Sequence, residues 1–116
     1  IICSRSFGVA VHALADLEQA VVAYTTRAAE KLRQQHSLSG GIHIYLRTNP
    51  HQIKDAQYQH GITVPLPEAT DDTRQLCRAA LNGLRQIYRS GYAYQKTGVT
   101  LTEIDLPPIL VPRASS

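Results

Sequence analysis

Histidines, thiols and carboxylates are the residues most able to do chemistry, and here their spacing does not assemble a reaction centre. His12, His36, His43, His51 and His60 form no H-x-x-x-H pair and share no metal-ligand spacing with Cys3 or Cys77. The nine acidic residues include no arrangement typical of a two-metal site. Asp71 and Asp72 instead suit a helix start, where carboxylates meet the positive end of the dipole. No serine stands in a G-x-S-x-G frame, and Gly40-Gly41 is not a phosphate loop. Arg5 to His12 matches the RNA-recognition signature at its basic, aromatic and small positions. It lacks the later aromatics and sits on a first strand, whereas that motif belongs to the third, so the match reads as coincidence.

What remains are groups that hold anions rather than transform them. Tyr45, Arg47, Lys96, Thr100 and Thr102, with Ser4, Arg5 and Ser6, are assigned to the wet face of one sheet. Arginine, lysine, hydroxyls and free backbone amides bind phosphate oxygens without reading base sequence. The plainer explanation is that any antiparallel sheet covered on one side carries polar residues on the other.

The elements that must present these groups follow from hydrophobic period. In Gly41 to Thr48, Ile42, Ile44 and Leu46 alternate with His43, Tyr45 and Arg47, the period-two pattern of a strand with one buried face. Ile1 to Phe7 reads as a strand ending at Gly8, with unclear parity. Ile2 groups with Ser4 and Ser6, Cys3 and Phe7 group with Arg5, and a bulge or an edge position would relieve the conflict. From Asp16 to Gln35, Leu17, Val21, Tyr24, Ala28 and Leu32 recur at helical spacing, with Asp16 as N-cap and Ser39-Gly40-Gly41 ending the segment. Thr48-Asn49-Pro50 opens an irregular connection through His60, and Gly61 to Leu66 is a strand whose Pro65 and Pro67 place it at an edge. Thr70 is the expected cap of a second helix with the stripe Leu76, Ala80, Leu84 and Ile87, widened by Cys77, Leu81 and Tyr88 and stopped at Ser90-Gly91. A last strand runs from Tyr94 to Leu106 with Val99 and Leu101 inward, followed by a proline-containing tail over 107–116 that is expected to stay flexible. The order is β-α-β-β-α-β, an α+β fold in which two helices cover one face of a four-stranded antiparallel sheet and leave the other open.

Composition agrees with one globular domain of 116 residues, 43% hydrophobic and 18% charged, with a formal net charge of +3 that favours an anionic partner only weakly. Two cysteines far apart in sequence make no disulfide scaffold, and reduced thiols are expected. No apolar run approaches the roughly 18 residues of a membrane span. The chain contains no methionine, so a piece of a longer polypeptide is expected.

Three stretches carry a resemblance. Ile2 to Gly8 (Ile-Cys-Ser-Arg-Ser-Phe-Gly), Arg27 to Arg33 (Arg-Ala-Ala-Glu-Lys-Leu-Arg) and Tyr94 to Val99 (Tyr-Gln-Lys-Thr-Gly-Val) resemble the little-finger domain of Y-family lesion-bypass DNA polymerases. They are nearest to the UmuC/MucB branch, the catalytic subunit of SOS polymerase V and its plasmid-borne relatives. Leu46-Arg47-Thr48-Asn49-Pro50 fits the corresponding strand end. The resemblance implies sheet order 1-4-2-3, a DNA-binding domain over 1–106 and a cytoplasmic parent active in the SOS response and DNA repair. It further implies that Ser4, Arg5, Ser6, Arg47, Lys96 and Thr100 meet phosphates of a primer-template duplex. By the same resemblance the magnesium-binding carboxylates lie in a palm domain absent here, so no cofactor is expected for these residues and the fragment is not expected to synthesise DNA. A UmuD′-like subunit and a sliding clamp are expected partners of the parent; the clamp peptide ending in Leu-Phe has no match through Ser116. The alternative is a protein-interaction module docking a partner subunit through the same face, with a single-stranded RNA binder third.

Overall fold

The computed structural model describes residues 1–49 and 56–105. Six elements follow one another as β1 (Ile2–Val11), α1 (Leu14–Gln34), β2 (Leu38–Thr48), β3 (Gln59–Thr70), α2 (Thr73–Ile87) and β4 (Tyr94–Asp105). All strand pairs are antiparallel, and the sheet order is β1-β4-β2-β3. Element order, topology and the α+β class are those expected from the sequence. The expected domain limit at 106 and the tail over 107–116 lie outside the described residues, as does Pro50.

The core forms where the periodic residues of all layers meet. Leu17, Val21, Tyr24, Ala28 and Leu32 from α1 and Leu76, Ala80, Leu84 and Ile87 from α2 are buried against Ile42, Ile44 and Leu46 of β2 and Val99 and Leu101 of β4. α2 lies so close to the sheet at Gly83 that a Cβ there would stand 2.9 Å from Val64 Cγ2 and 3.0 Å from Ile44 Cδ1. The helices are also tied together at both ends. Arg85 pairs with Glu18 at 2.8 Å, and Arg33 donates to the Asp71 carbonyl at 3.0 Å and to Thr73 Oγ1 at 2.8 Å.

Several boundaries differ from the expected ones, for local reasons. α1 starts two residues early, with Ala13 at the N-cap making no side-chain bond, so Asp16 lies in the first turn instead of capping. The helix also stops before the Ser39-Gly40-Gly41 run. His36 adopts φ 55°, and the His36 and Ser37 amides bond back to Arg33 and Leu32 carbonyls at 3.0 and 3.1 Å, the left-handed closure usually made by glycine. Ser39, Gly40 and Gly41 belong to β2, whose register with β3 shifts between Ser39 and Gly41. Asp72, not Thr70, caps α2 by accepting from the Arg74 amide at 3.0 Å. Thr70 closes β3 and accepts from the Asp72 amide at 3.0 Å. α2 ends at Ile87, ahead of Ser90-Gly91, because Tyr88 is already extended and Tyr58 Oη caps the Ile87 carbonyl at 2.6 Å.

Candidate nucleic-acid interface

Strand register fixes which residues share the face opposite the helices. Across β1-β4-β2-β3 one row reads Ser6, Lys96, Arg47, Gln59, and the next reads Ser4, Gly98, Tyr45, Gly61. A third reads Ile2, Thr100, His43, Thr63, and a fourth begins at Thr102 and continues through Gly41 to Pro65. Both helices pack on the other side, and no described element covers these rows. Their members include Arg47, Lys96 and His43 and no acidic residue, while the Glu103 carboxylate reaches the far end of the face beside Gly41.

Arg47 and Lys96 are direct cross-strand partners. Like charges placed opposite each other in a ladder repel, and here neither has an acidic partner among the described residues. Arg47 Nε is buried without a hydrogen-bond partner, and the side chain borders a cleft of about 150 Å³ with Thr48, Gln57, Tyr58 and Gln59. An anion resting on this row would relieve the repulsion between the two cations.

The middle rows are flattened by missing side chains. A Cβ on Gly98 would fall 2.7 Å from Tyr45 Cζ and 2.8 Å from Ser4 Cβ, so the tyrosine ring lies across β4 where a side chain would otherwise stand. Gly61 does the same for His43, whose Nε2 would be 2.9 Å from an added Cβ. His43 Nδ1 is hydrogen-bonded to Thr63 Oγ1 at 2.9 Å. The result is a shallow surface with polar edges rather than a pocket.

One of the expected site residues needs correction. Arg5 pairs with buried Thr97 and lies between Cys3 and Phe7, which pack on the core, so it belongs to the helix side of β1 and not to the open face. β1 is an edge strand whose register shifts after Ser6, which is why alternation alone left its parity undecided. Thr102 is on the open face, but its Oγ1 is buried over Gly41 without a partner, and the Glu103 carboxylate sits beside the same glycine. Ser4, Ser6, Tyr45, Arg47, Lys96 and Thr100 share the face as expected. His43 and Thr63 join them; alternation along β2 and β3 already put both on the wet side, and the β2–β3 register makes them direct partners.

Beyond the cationic row, at the end of the sheet where Thr48 pairs with Tyr94, tyrosines pack together. Tyr58 stacks on Tyr92 with ring centroids 4.8 Å apart, and Tyr94 is met by Tyr58, Tyr88 and Tyr92. Tyr94 Oη donates to the Arg89 carbonyl at 2.6 Å and accepts from the Arg89 amide at 3.0 Å. Burial pushes the Tyr94 phenol above its ordinary value, and burial likewise raises the Cys77 thiol on α2. Both lie away from the open face. No group of three histidine, cysteine or acidic residues among the described residues could hold a metal ion, and no described helix is long and apolar enough to cross a membrane.

Comparison with known proteins gives this architecture a family. The impB/mucB/samB family C-terminal domain matches residues 1–113. Protein MucB of Salmonella typhimurium is 42% identical over 103 residues, which cover 89% of this chain and 24% of that protein. Protein UmuC of Salmonella typhimurium is 41% identical over 101 residues, covering 87% and 24%. The chain thus spans about a quarter of the length of these relatives. Among solved structures, the complex of the beta-clamp processivity factor and the little finger domain of PolIV aligns over 97% of this chain and 93% of that one. Its TM-score is 0.57 at 14% identity, a likeness of fold alone. The chain therefore belongs to the impB/mucB/samB C-terminal domain family, with MucB and UmuC among its relatives and the fold of a little finger domain.

Proposed function

We propose that this domain is the non-catalytic duplex grip of an error-prone translesion polymerase, laying its open sheet face along the primer-template and holding phosphates rather than bases. The observation that carries the reading is the Arg47–Lys96 couple, without an acidic partner among the described residues and placed side by side on neighbouring strands with Ser6 and Gln59 on either flank. Family membership supports it, because such a domain is one part of a longer polymerase. Ser4 and Ser6 on an edge strand add hydroxyls and free amides, groups that bind phosphate without sequence preference. The parent's palm would supply the magnesium-dependent nucleotidyl transfer. Its clamp and UmuD′-like contacts are proposed for the parent, the clamp by analogy with the PolIV little finger, which was solved in a clamp complex.

Neutralising three or four phosphates gives a slope of log affinity against log salt of roughly −3 to −4. Replacing Arg47 and Lys96 together by alanine is expected to flatten that slope by about 1.8, at roughly 0.9 per phosphate lost, and to weaken unrelated duplex sequences equally. Fluorescence anisotropy with labelled primer-templates checks this. An unchanged slope, or a loss confined to one sequence, would contradict the proposal. Salt-insensitive binding to a protein partner with no retention on duplex would point to the docking-module alternative.

A further inference from the structure

The cations of the helical side divide into those with structural work and those without it. Arg33 and Arg85 tie the two helices together, and Arg89 donates to the Gln86 and Tyr88 carbonyls at the end of α2. The side chains of Arg5 and Arg27 have no hydrogen-bond or ionic partner among the described residues, and Lys31 has only the Cys3 thiol, with Nζ 4.0 Å from Sγ. Arg5, Arg27 and Lys31 line one cleft of about 290 Å³ between the β1 edge and α1, with Ile2, Cys3, Ser4 and Tyr24 and no carboxylate. Arg27 and Lys31 are four apart on the helix, a like-charge spacing that destabilises it. Arg5 brings a third positive charge to the same cleft from a different element.

We infer that Arg5, Arg27 and Lys31 form a second phosphate-binding site, reached around the β1 edge from the sheet face, that takes a backbone phosphate of the bound nucleic acid. Continuity argues for this source of phosphate. Ser4 and Ile2 border the cleft and also stand in the open-face rows, so a strand lying on the sheet at Ser4 reaches the cleft by turning over the edge. The site rests on the proposed grip for its ligand, but on separate residues for its geometry. It also gives Arg5, which the register removes from the open face, a place in the same interface.

The test compares three double variants of this chain by salt-dependent anisotropy on one primer-template duplex: R27A/K31A, R47A/K96A and R74A/R78A. All the side chains of the first and third pairs are solvent-exposed, so the fold should survive, which circular dichroism verifies. Arg74 and Arg78 are also like-charged, four apart and without side-chain partners among the described residues, but they lie on α2 and outside the cleft. The expected result is that R27A/K31A flattens the salt slope by up to about 1.8 while R74A/R78A leaves it unchanged. An unchanged R27A/K31A slope beside a flattened R47A/K96A slope overturns the second site and leaves the sheet grip standing. The reverse pattern overturns the sheet grip and keeps the edge site. Equal flattening by R74A/R78A overturns the second site, because net charge alone would then explain the effect.

Discussion

Tyr45 can lie flat on the sheet only because position 98 has no side chain. Gly98→Ala would push a methyl into the ring and into Ser4 Cβ, an overpacking that costs about 1–3 kcal/mol in comparable settings. Urea denaturation of G98A, Y45A and the double variant tests the contact. The double variant is expected to be less destabilised than the sum of the singles, since the clash vanishes with the ring, and strict additivity would contradict it. Gly98 falls within the Tyr-Gln-Lys-Thr-Gly-Val stretch that carries the family resemblance, yet its role was not legible there. Register between β4 and β2 had to be known before Gly98 and Tyr45 became neighbours. Arg47 and Lys96 were more accessible, because each sits on the wet parity of a strongly alternating strand. Arg5 was not, since an edge strand touches the core on one side only and its alternation is correspondingly weak.

At the scale of elements, apolar stripes were readable and ends were not. Every core position expected on α1 is buried, as are Leu76, Ala80, Leu84 and Ile87 on α2. Gly40 and Gly41 looked like a helix stop but answer a different need, since side chains there would collide with Glu103 and Thr102 on β4. The left-handed position falls on His36 instead. Removing its Cβ with His36→Gly is expected to raise stability by about 0.5–1 kcal/mol, read from the denaturation midpoint; a loss would contradict the assignment. The end of α2 depends on tyrosine hydroxyls. Because burial raises the Tyr94 phenol, its neutral form stabilises the fold below the unfolded value of about 10, and this contribution is lost as pH rises through the folded value. Tyr94→Phe is expected to cost about 1 kcal/mol at pH 7 through its hydroxyl bonds and to show a shallower alkaline decline. Stability profiles from pH 7 to about pH 11 compare the two proteins.

For the whole molecule, the decisive feature is how charge is divided between two faces. Most described cations are on the helical side or the β1 edge, and the sheet rows hold only Arg47 and Lys96 beside His43. A net charge of +3 could not have revealed this, because a total carries no direction. The open face itself was legible, since two amphipathic helices suffice to cover only one side of a four-stranded sheet. The most direct measurement of the central claim is amide chemical-shift mapping as a primer-template duplex is added to the labelled domain. The account predicts perturbations concentrated at Ser4, Ser6, Tyr45, Arg47, Lys96 and Thr100, fading as salt is raised. Shifts confined to the outer surfaces of α1 and α2, with those strand positions silent, would contradict it.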